Sequence, residues 1–153
     1  MPGRVEDKVA FITGAARGQG RSHAVQLGGE GADIIAVDIC RQVEGVLFSM
    51  PTPDDLAETV SLVEKQGRRT VAAQADVRDH GALKAAVDEG VAQLNRLDIV
   101  VANAGIGATG DLMQTMKEEV WQAPLTSTSP ECGTASRRRF RTSSRAAAEA
   151  RSC

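Results

Sequence analysis

A chain of 153 residues, with 42% apolar and 25% charged side chains, has the length and balance of one ordinary globular domain. No apolar run approaches the roughly 20 residues that a membrane-crossing helix needs, so no membrane partner is expected. The net charge of −2 hides an asymmetry: residues 1–103 are acidic, whereas residues 123–153 carry six arginines against Glu131 and Glu149.

The first apolar run, KVAFIT at residues 8–13, passes directly into glycines and reads as a buried strand. No small-residue cleavage site follows it, which argues against a signal peptide. The stretch GRSHAVQLGGEG places Ala24, Val25 and Leu27 at helical spacing and ends in glycines that suit a helix C-terminus. ADIIAVD, residues 32–38, is a second buried strand that ends in an acid. A loop with two prolines follows, from Ile39 to Pro53. Thr52-Pro53-Asp54-Asp55 then opens a second helix, with a capping hydroxyl, a proline in the first turn and acids at the positive dipole end.

RTVAAQADV (69–77) predicts a third strand, ALKAAVDEGVAQL (82–94) a third helix, and LDIVVANAG (97–105) a fourth strand. Leu112, Met116 and Val120 hint at one more helix starting near Asp111. Strands that are continuous apolar runs and alternate with helices predict an α/β fold with a parallel, doubly wound sheet. Right-handed crossovers put the strands in the order 3-2-1-4, the first half of a Rossmann-type domain. Residues 1–121 are assigned to that half.

TGAARGQG (13–20) stands where the first strand meets the first helix. There Gly14 permits a sharp turn, Gly18 a close approach of backbone to a pyrophosphate, and Gly20 close helix–sheet packing. Ala16, Arg17 and Gln19 lie between them and are counted with the cofactor contacts. A Gly-rich loop alone is weak evidence, because turns need glycine anyway; its place between a strand and a helix makes it a nucleotide-binding signal. Asp38, with Ile39 after it, ends the second strand about 20 residues on, where an acid accepts from a ribose 2′-hydroxyl and repels a 2′-phosphate. The alternative is a plain exposed acid at a strand end. As a functional residue Asp38 favours NAD over NADP, and Arg41 would soften that preference.

Together, Thr-Gly-x-x-x-Gly-x-Gly at 13–20, Asp76-Val77 and Asn103-Ala104-Gly105 resemble the short-chain dehydrogenase/reductase family. The resemblance covers residues 5–121. It implies that Asp76 bonds the adenine amine, that Val77 lines the adenine pocket, and that Asn103 ties the fourth strand to its neighbour. Backbone at Ala104 and Gly105 would touch ribose. GARGQGRSHA and the long loop after the second strand look like the carveol-dehydrogenase-like branch, actinobacterial enzymes linked to the redox peptide mycofactocin. That resemblance implies oxidation of a secondary alcohol, or reduction of the ketone, with tightly held NAD.

The family's chemistry requires an Asn, a Ser and a Tyr-x-x-x-Lys pair, with the tyrosine as acid or base at the substrate oxygen. This chain contains no tyrosine, and no lysine follows Lys117. His23 and His80 read as structural or solvated, and Ser127, Ser129 and Ser136 lack an orienting base. No catalytic residue is therefore assigned. Cys40, Cys132 and Cys153 show no metal-ligand spacing; their odd number suits reduced thiols and a cytoplasmic protein, with no metal expected.

Residues 122–153 break with everything before them: Ser, Thr and Arg accumulate without any period. Read one base earlier, with third bases that the code allows, residues 127–144 become an apolar helical stripe followed by a strand. The restored text resembles the family's next helix and fifth strand. Loss of one base after the codon for Leu125 produces the observed Thr126, so the tail is expected to be out-of-frame, non-native and disordered. A basic nucleic-acid-binding arm is the competing reading, but Phe140 stands alone with no aromatic interleaving, so no nucleic acid is expected. With its helices for oligomerisation lost and its fourth strand left open, the chain is expected to be poorly soluble, not a family-type homo-oligomer, weak in NAD affinity and without turnover. A non-catalytic nucleotide-binding remnant is the second reading.

Overall fold

The computed structural model describes residues 3–44 and 46–107. Strands β1 (Val9–Thr13), β2 (Asp33–Asp38), β3 (Thr70–Gln74) and β4 (Ile99–Val101) alternate with helices α1 (Gly18–Gly29), α2 (Pro53–Glu64) and α3 (His80–Leu94). All pairings are parallel, and the sheet order is β3-β2-β1-β4. The expected α/β architecture and strand order are therefore those of the molecule. The further helix near Asp111 and the whole of residues 122–153 lie outside the described residues.

Continuous apolar strands are explained by two cores, one on each face. Val9, Phe11, Ile35 and Val37 face α3, where they meet Leu83, Val87 and Leu94. Their neighbours Ala10, Ile12, Ile34 and Ala36 point the other way, to Ala24 of α1 and Leu56 and Val63 of α2. Strand alternation thus fills both faces from one run of sequence. Each fully buried side chain such as Phe11, Ile34 or Leu83 contributes about 1.5–3 kcal/mol of transfer free energy.

Helix boundaries follow their caps. Thr52 and Asp55 form a reciprocal capping box, with Asp55 N donating to Thr52 Oγ1 at 3.2 Å and Thr52 N to Asp55 Oδ2 at 2.7 Å. Asp79 accepts from the amides of Gly81 and Ala82, so α3 begins at His80 rather than at residue 82. Residues 39–44 and 46–52 form no helix or strand, as expected of the loop.

Two strands are shorter than their sequences suggest. β3 ends at Gln74 because its ladder partner β2 ends at Asp38, and as an edge strand it is only partly buried. Among the described residues β4 pairs only with Ala10–Ile12, and it is half-buried throughout. Beyond Val101 the side chain of Asn103 takes over the bonding to β1.

Candidate functional site

The chain leaves β3 by α3 and returns on the other side of β1 as β4. The strand order therefore reverses between β1 and β4, and at the carboxyl ends of such strands doubly wound sheets bind ligands. A crevice of about 320 Å³ lies there, bounded by Gly14, Gly18, Asp38, Asp76 and Asn103 among others.

The glycine loop forms its floor. Gly14 and Gly18 have φ of +65° and +57°, which glycine adopts without a Cβ penalty. A Cβ on Gly20 would sit 1.9 Å from the carbonyl oxygen of Gly14, so this turn of α1 can pack here only as glycine. A Cβ on Gly18 would meet nothing within 4 Å and would project into open space. α1 starts at Gly18, earlier than expected, so Gly18, Gln19 and Gly20 form its first turn. Arg17 at its N-cap makes no side-chain cap bond, and no acid lies in that turn. Its leading amides and positive dipole end are thus left for an anion. Ala16 is fully buried beneath the loop, while Arg17, Gly18 and Gln19 are exposed on the crevice side.

Asp38 is buried rather than a solvated strand end. Its Oδ2 accepts from Ala16 N at 2.9 Å and its Oδ1 from Cys40 N at 3.3 Å, so it braces the glycine loop while lining the crevice. Ile39 lies beside it on the crevice wall. The loop that follows supplies Val43, Phe48 and Met50 as an apolar wall, pinned by a bond from Arg17 Nη2 to Ser49 O. Cys40 is buried, and burial, with Asp38 and Asp55 nearby, pushes its thiol up to about 11, which favours the protonated thiol at neutral pH.

Asp76 is held by arginines. Arg78 Nη2 donates to Oδ2 at 2.6 Å and Nε to Oδ1 at 2.9 Å, while Arg41 Nη2 reaches Oδ2 at 3.3 Å. Arg41, expected to soften the preference for NAD, thus makes one contact to Asp76 and remains largely exposed. Val77 is buried beside Asp76 and lines the crevice. The Arg78 bonds hold the Asp76 carboxyl at about 2, below its ordinary 3.8. A depressed carboxyl stabilises the fold fully above its unfolded value and loses that contribution as pH falls through the folded value. The thermal midpoints of the parent and Asp76→Asn should therefore converge as pH is lowered from about 5 to about 2. A gap that stays constant over that range would show that the ion pair contributes nothing.

Asn103 ties β4 to β1. Its Nδ2 donates to Thr13 O at 3.0 Å and Gly14 O at 3.3 Å, while Thr13 Oγ1 accepts from the amides of Asn103 and Ala104 at 3.1 and 3.0 Å. Ala104 and Gly105 continue the crevice wall. Of the expected site residues, all border the crevice except Ala16 and Gly20, which are buried behind it. The sequence reading missed Thr13, Arg21 and Thr59 as supports for the loop, since only the fold brings Thr59 to it. Among the described residues, no cluster of three metal-ligating side chains occurs, and no helix is long and apolar enough to cross a membrane.

Residues 8–127 match the short chain dehydrogenase family. The chain is 49% identical over 119 residues to (−)-trans-carveol dehydrogenase of Rhodococcus erythropolis, covering 78% of this chain and 43% of that protein. Carveol dehydrogenase from Mycobacterium avium, solved in complex with NAD, shares 60% identity at a TM-score of 0.78 over 81% of this chain and 45% of that one. A short chain dehydrogenase from Mycobacterium paratuberculosis bound to NAD shares 46% identity at a TM-score of 0.86, over 91% and 53%. The chain spans about half the length of the curated relatives it matches. With its glycine loop, Asp76-Val77 and Asn103-Ala104-Gly105 gathered at one crevice, the chain belongs to the short-chain dehydrogenase family.

Proposed function

We propose that this chain binds NAD in the crevice and is the cofactor-binding half of an oxidoreductase acting on a secondary alcohol or the corresponding ketone. The observation that carries this reading is the pairing of an uncapped, glycine-opened helix N-terminus with a buried acid, Asp38, at the end of the neighbouring strand. The amides of Gly18 to Gly20 would hold the pyrophosphate, and Asp38 the adenosine ribose. Asp76 and Val77 would hold the adenine, with backbone at Asn103 to Gly105 along the second ribose. Bound NAD supplies a hydride acceptor. Asp38 would repel a 2′-phosphate, so NAD is preferred to NADP.

Turnover is not expected of these 153 residues, which contain no tyrosine to act on the substrate oxygen. The same observation favours the second reading, a nucleotide-binding remnant without activity of its own. The tail from residue 122 is read as out-of-frame, and the family match ends at residue 127, just beyond Leu125. Resequencing the gene across the codons for Pro124 to Cys153 separates the two. A recovered base that opens a frame running on to Tyr-x-x-x-Lys makes the parent an alcohol dehydrogenase, whereas a confirmed deletion leaves the remnant.

Calorimetric titration of the chain with NAD and NADP, followed by assay for NADH with a panel of secondary alcohols, tests the function itself. NAD is expected to bind about tenfold or more tighter than NADP, with no NADH formed. Equal affinity for the two, or no binding of either, would reject the cofactor assignment.

A further inference from the structure

Ala15 and Ala16 belong to the glycine loop, yet both are fully buried and neither borders the crevice. Their carbonyl oxygens point instead at two side chains from the helices behind them. Thr59, fully buried in α2, sets its Oγ1 3.0 Å from Ala15 O and 3.1 Å from Ala16 O. Arg21, one turn into α1, donates to Ala16 O from Nε at 3.0 Å and from Nη2 at 2.6 Å. The two are coupled, because Arg21 Nε also lies 3.0 Å from Thr59 Oγ1. Arg21 is itself fixed by α2, through Asp55 O at 2.8 Å and Glu58 Oε2 at 2.7 Å. The amides of the same two residues are also fixed: Ala15 N donates to Val37 O at 3.1 Å and Ala16 N to Asp38 Oδ2 at 2.9 Å.

We propose that Arg21 and Thr59 are positioning residues for the phosphate-binding loop. They draw two carbonyl oxygens, which would repel a pyrophosphate, back toward α2, and leave the first-turn amides of α1 facing the crevice. They also hold the loop in that form before any ligand arrives, so the ordering cost is met on folding rather than on binding. α2 begins where the long loop after β2 ends, so the same contacts set the phosphate loop and the apolar wall at Met50 in one register. The proposal rests on the dinucleotide reading above, and it adds residues that touch no ligand.

A role in packing α1 against α2 alone predicts a loss of stability and nothing specific to phosphate. Thr59→Val, Thr59→Ser and Arg21→Met in the full 153-residue chain separate the two roles. Two readouts are needed: amide hydrogen exchange in the ligand-free chain, and ligand-observed NMR affinities for adenosine and for ADP-ribose. Thr59→Val and Arg21→Met should each speed exchange at residues 17–20 by about tenfold, leaving β2 and α3 unchanged. Both should weaken ADP-ribose by about three- to tenfold and adenosine, which has no phosphate, by less than about twofold. Thr59→Ser, which keeps the hydroxyl, should restore both properties. Unchanged exchange in the loop, or an equal loss for the two ligands, would overturn the proposal. If the parent chain binds neither ligand, the NAD reading falls, while the exchange data still decide whether these side chains hold the loop.

Discussion

Gly20→Ala is expected to lower stability by about 3 kcal/mol, near the upper end for overpacking, and to eliminate NAD binding. The added methyl would lie 1.9 Å from Gly14 O, 2.6 Å from Gly14 C and 2.8 Å from Asn103 Nδ2. None of these atoms can retreat cheaply. Gly14 is set in a left-handed turn, and Asn103 Nδ2 is bonded to Thr13 O and Gly14 O. α1 must therefore move off the sheet, taking its N-terminus away from the crevice. For a domain of this size the thermal midpoint should fall by about 10–20 °C. Gly18→Ala supplies the contrast. Its methyl meets nothing within 4 Å, so its stability cost is the strain of φ +57°, about 1–2 kcal/mol. The methyl nonetheless occupies the space a pyrophosphate would approach, so affinity should fall far more than stability. Calorimetric unfolding and NAD titration of both variants check this; an unshifted midpoint for Gly20→Ala would contradict the packing described.

Asp38→Ala should weaken NAD by about 100-fold, the worth of one or two charge-assisted hydrogen bonds to ribose. It should also cost about 1–3 kcal/mol of stability, because the amide of Ala16, buried under the loop, loses its acceptor. Asp38→Asn keeps an oxygen for Ala16 N but removes the charge. Its amide nitrogen would then face Cys40 N, which donates to Oδ1 in the parent, so its stability should fall between those of the parent and Asp38→Ala, while the ratio of NADP to NAD affinity rises toward one. Titration of both nucleotides with the parent and the two variants reads all of these effects. A parent-like preference for NAD in Asp38→Asn would place the discrimination elsewhere.

Most of the fold was legible because each strand is an apolar run bounded by glycine or a charged turn, and the helices carry their caps in sequence. The errors came at edges. RTVAAQADV reads as one strand along its whole length, yet a parallel ladder can run only as far as its partner, and β2 stops at Asp38 opposite Gln74. LDIVVANAG likewise gives only three paired residues, because Asn103 replaces the ladder with side-chain bonds to β1. The start of α3 was placed late because its cap, Asp79, stands before residues with little apolar pattern.

For the site, motifs placed the residues that border the crevice, since each sits at the end of a strand and the topology gathers those ends. Sequence could not reveal what already occupies them. That Asp38 also braces the loop is visible only once Ala16 N is seen to donate to it, and the grip of Arg41 and Arg78 on Asp76 depends on loop geometry. Thr59 was illegible for a stronger reason. A single threonine inside an amphipathic helix carries no signal, and its hydroxyl reaches Ala15 across 44 positions of sequence.

Amide chemical-shift mapping of the 153-residue chain during titration with NAD shows residue by residue where the cofactor binds. Shifts are expected to concentrate at residues 14–20, 38–39, 76–77 and 103–105, all at the carboxyl ends of the strands. The opposite end of the sheet, around Asp33 and Arg69, should remain still. Shifts centred on that opposite end, or none at saturating NAD, would contradict binding in the crevice.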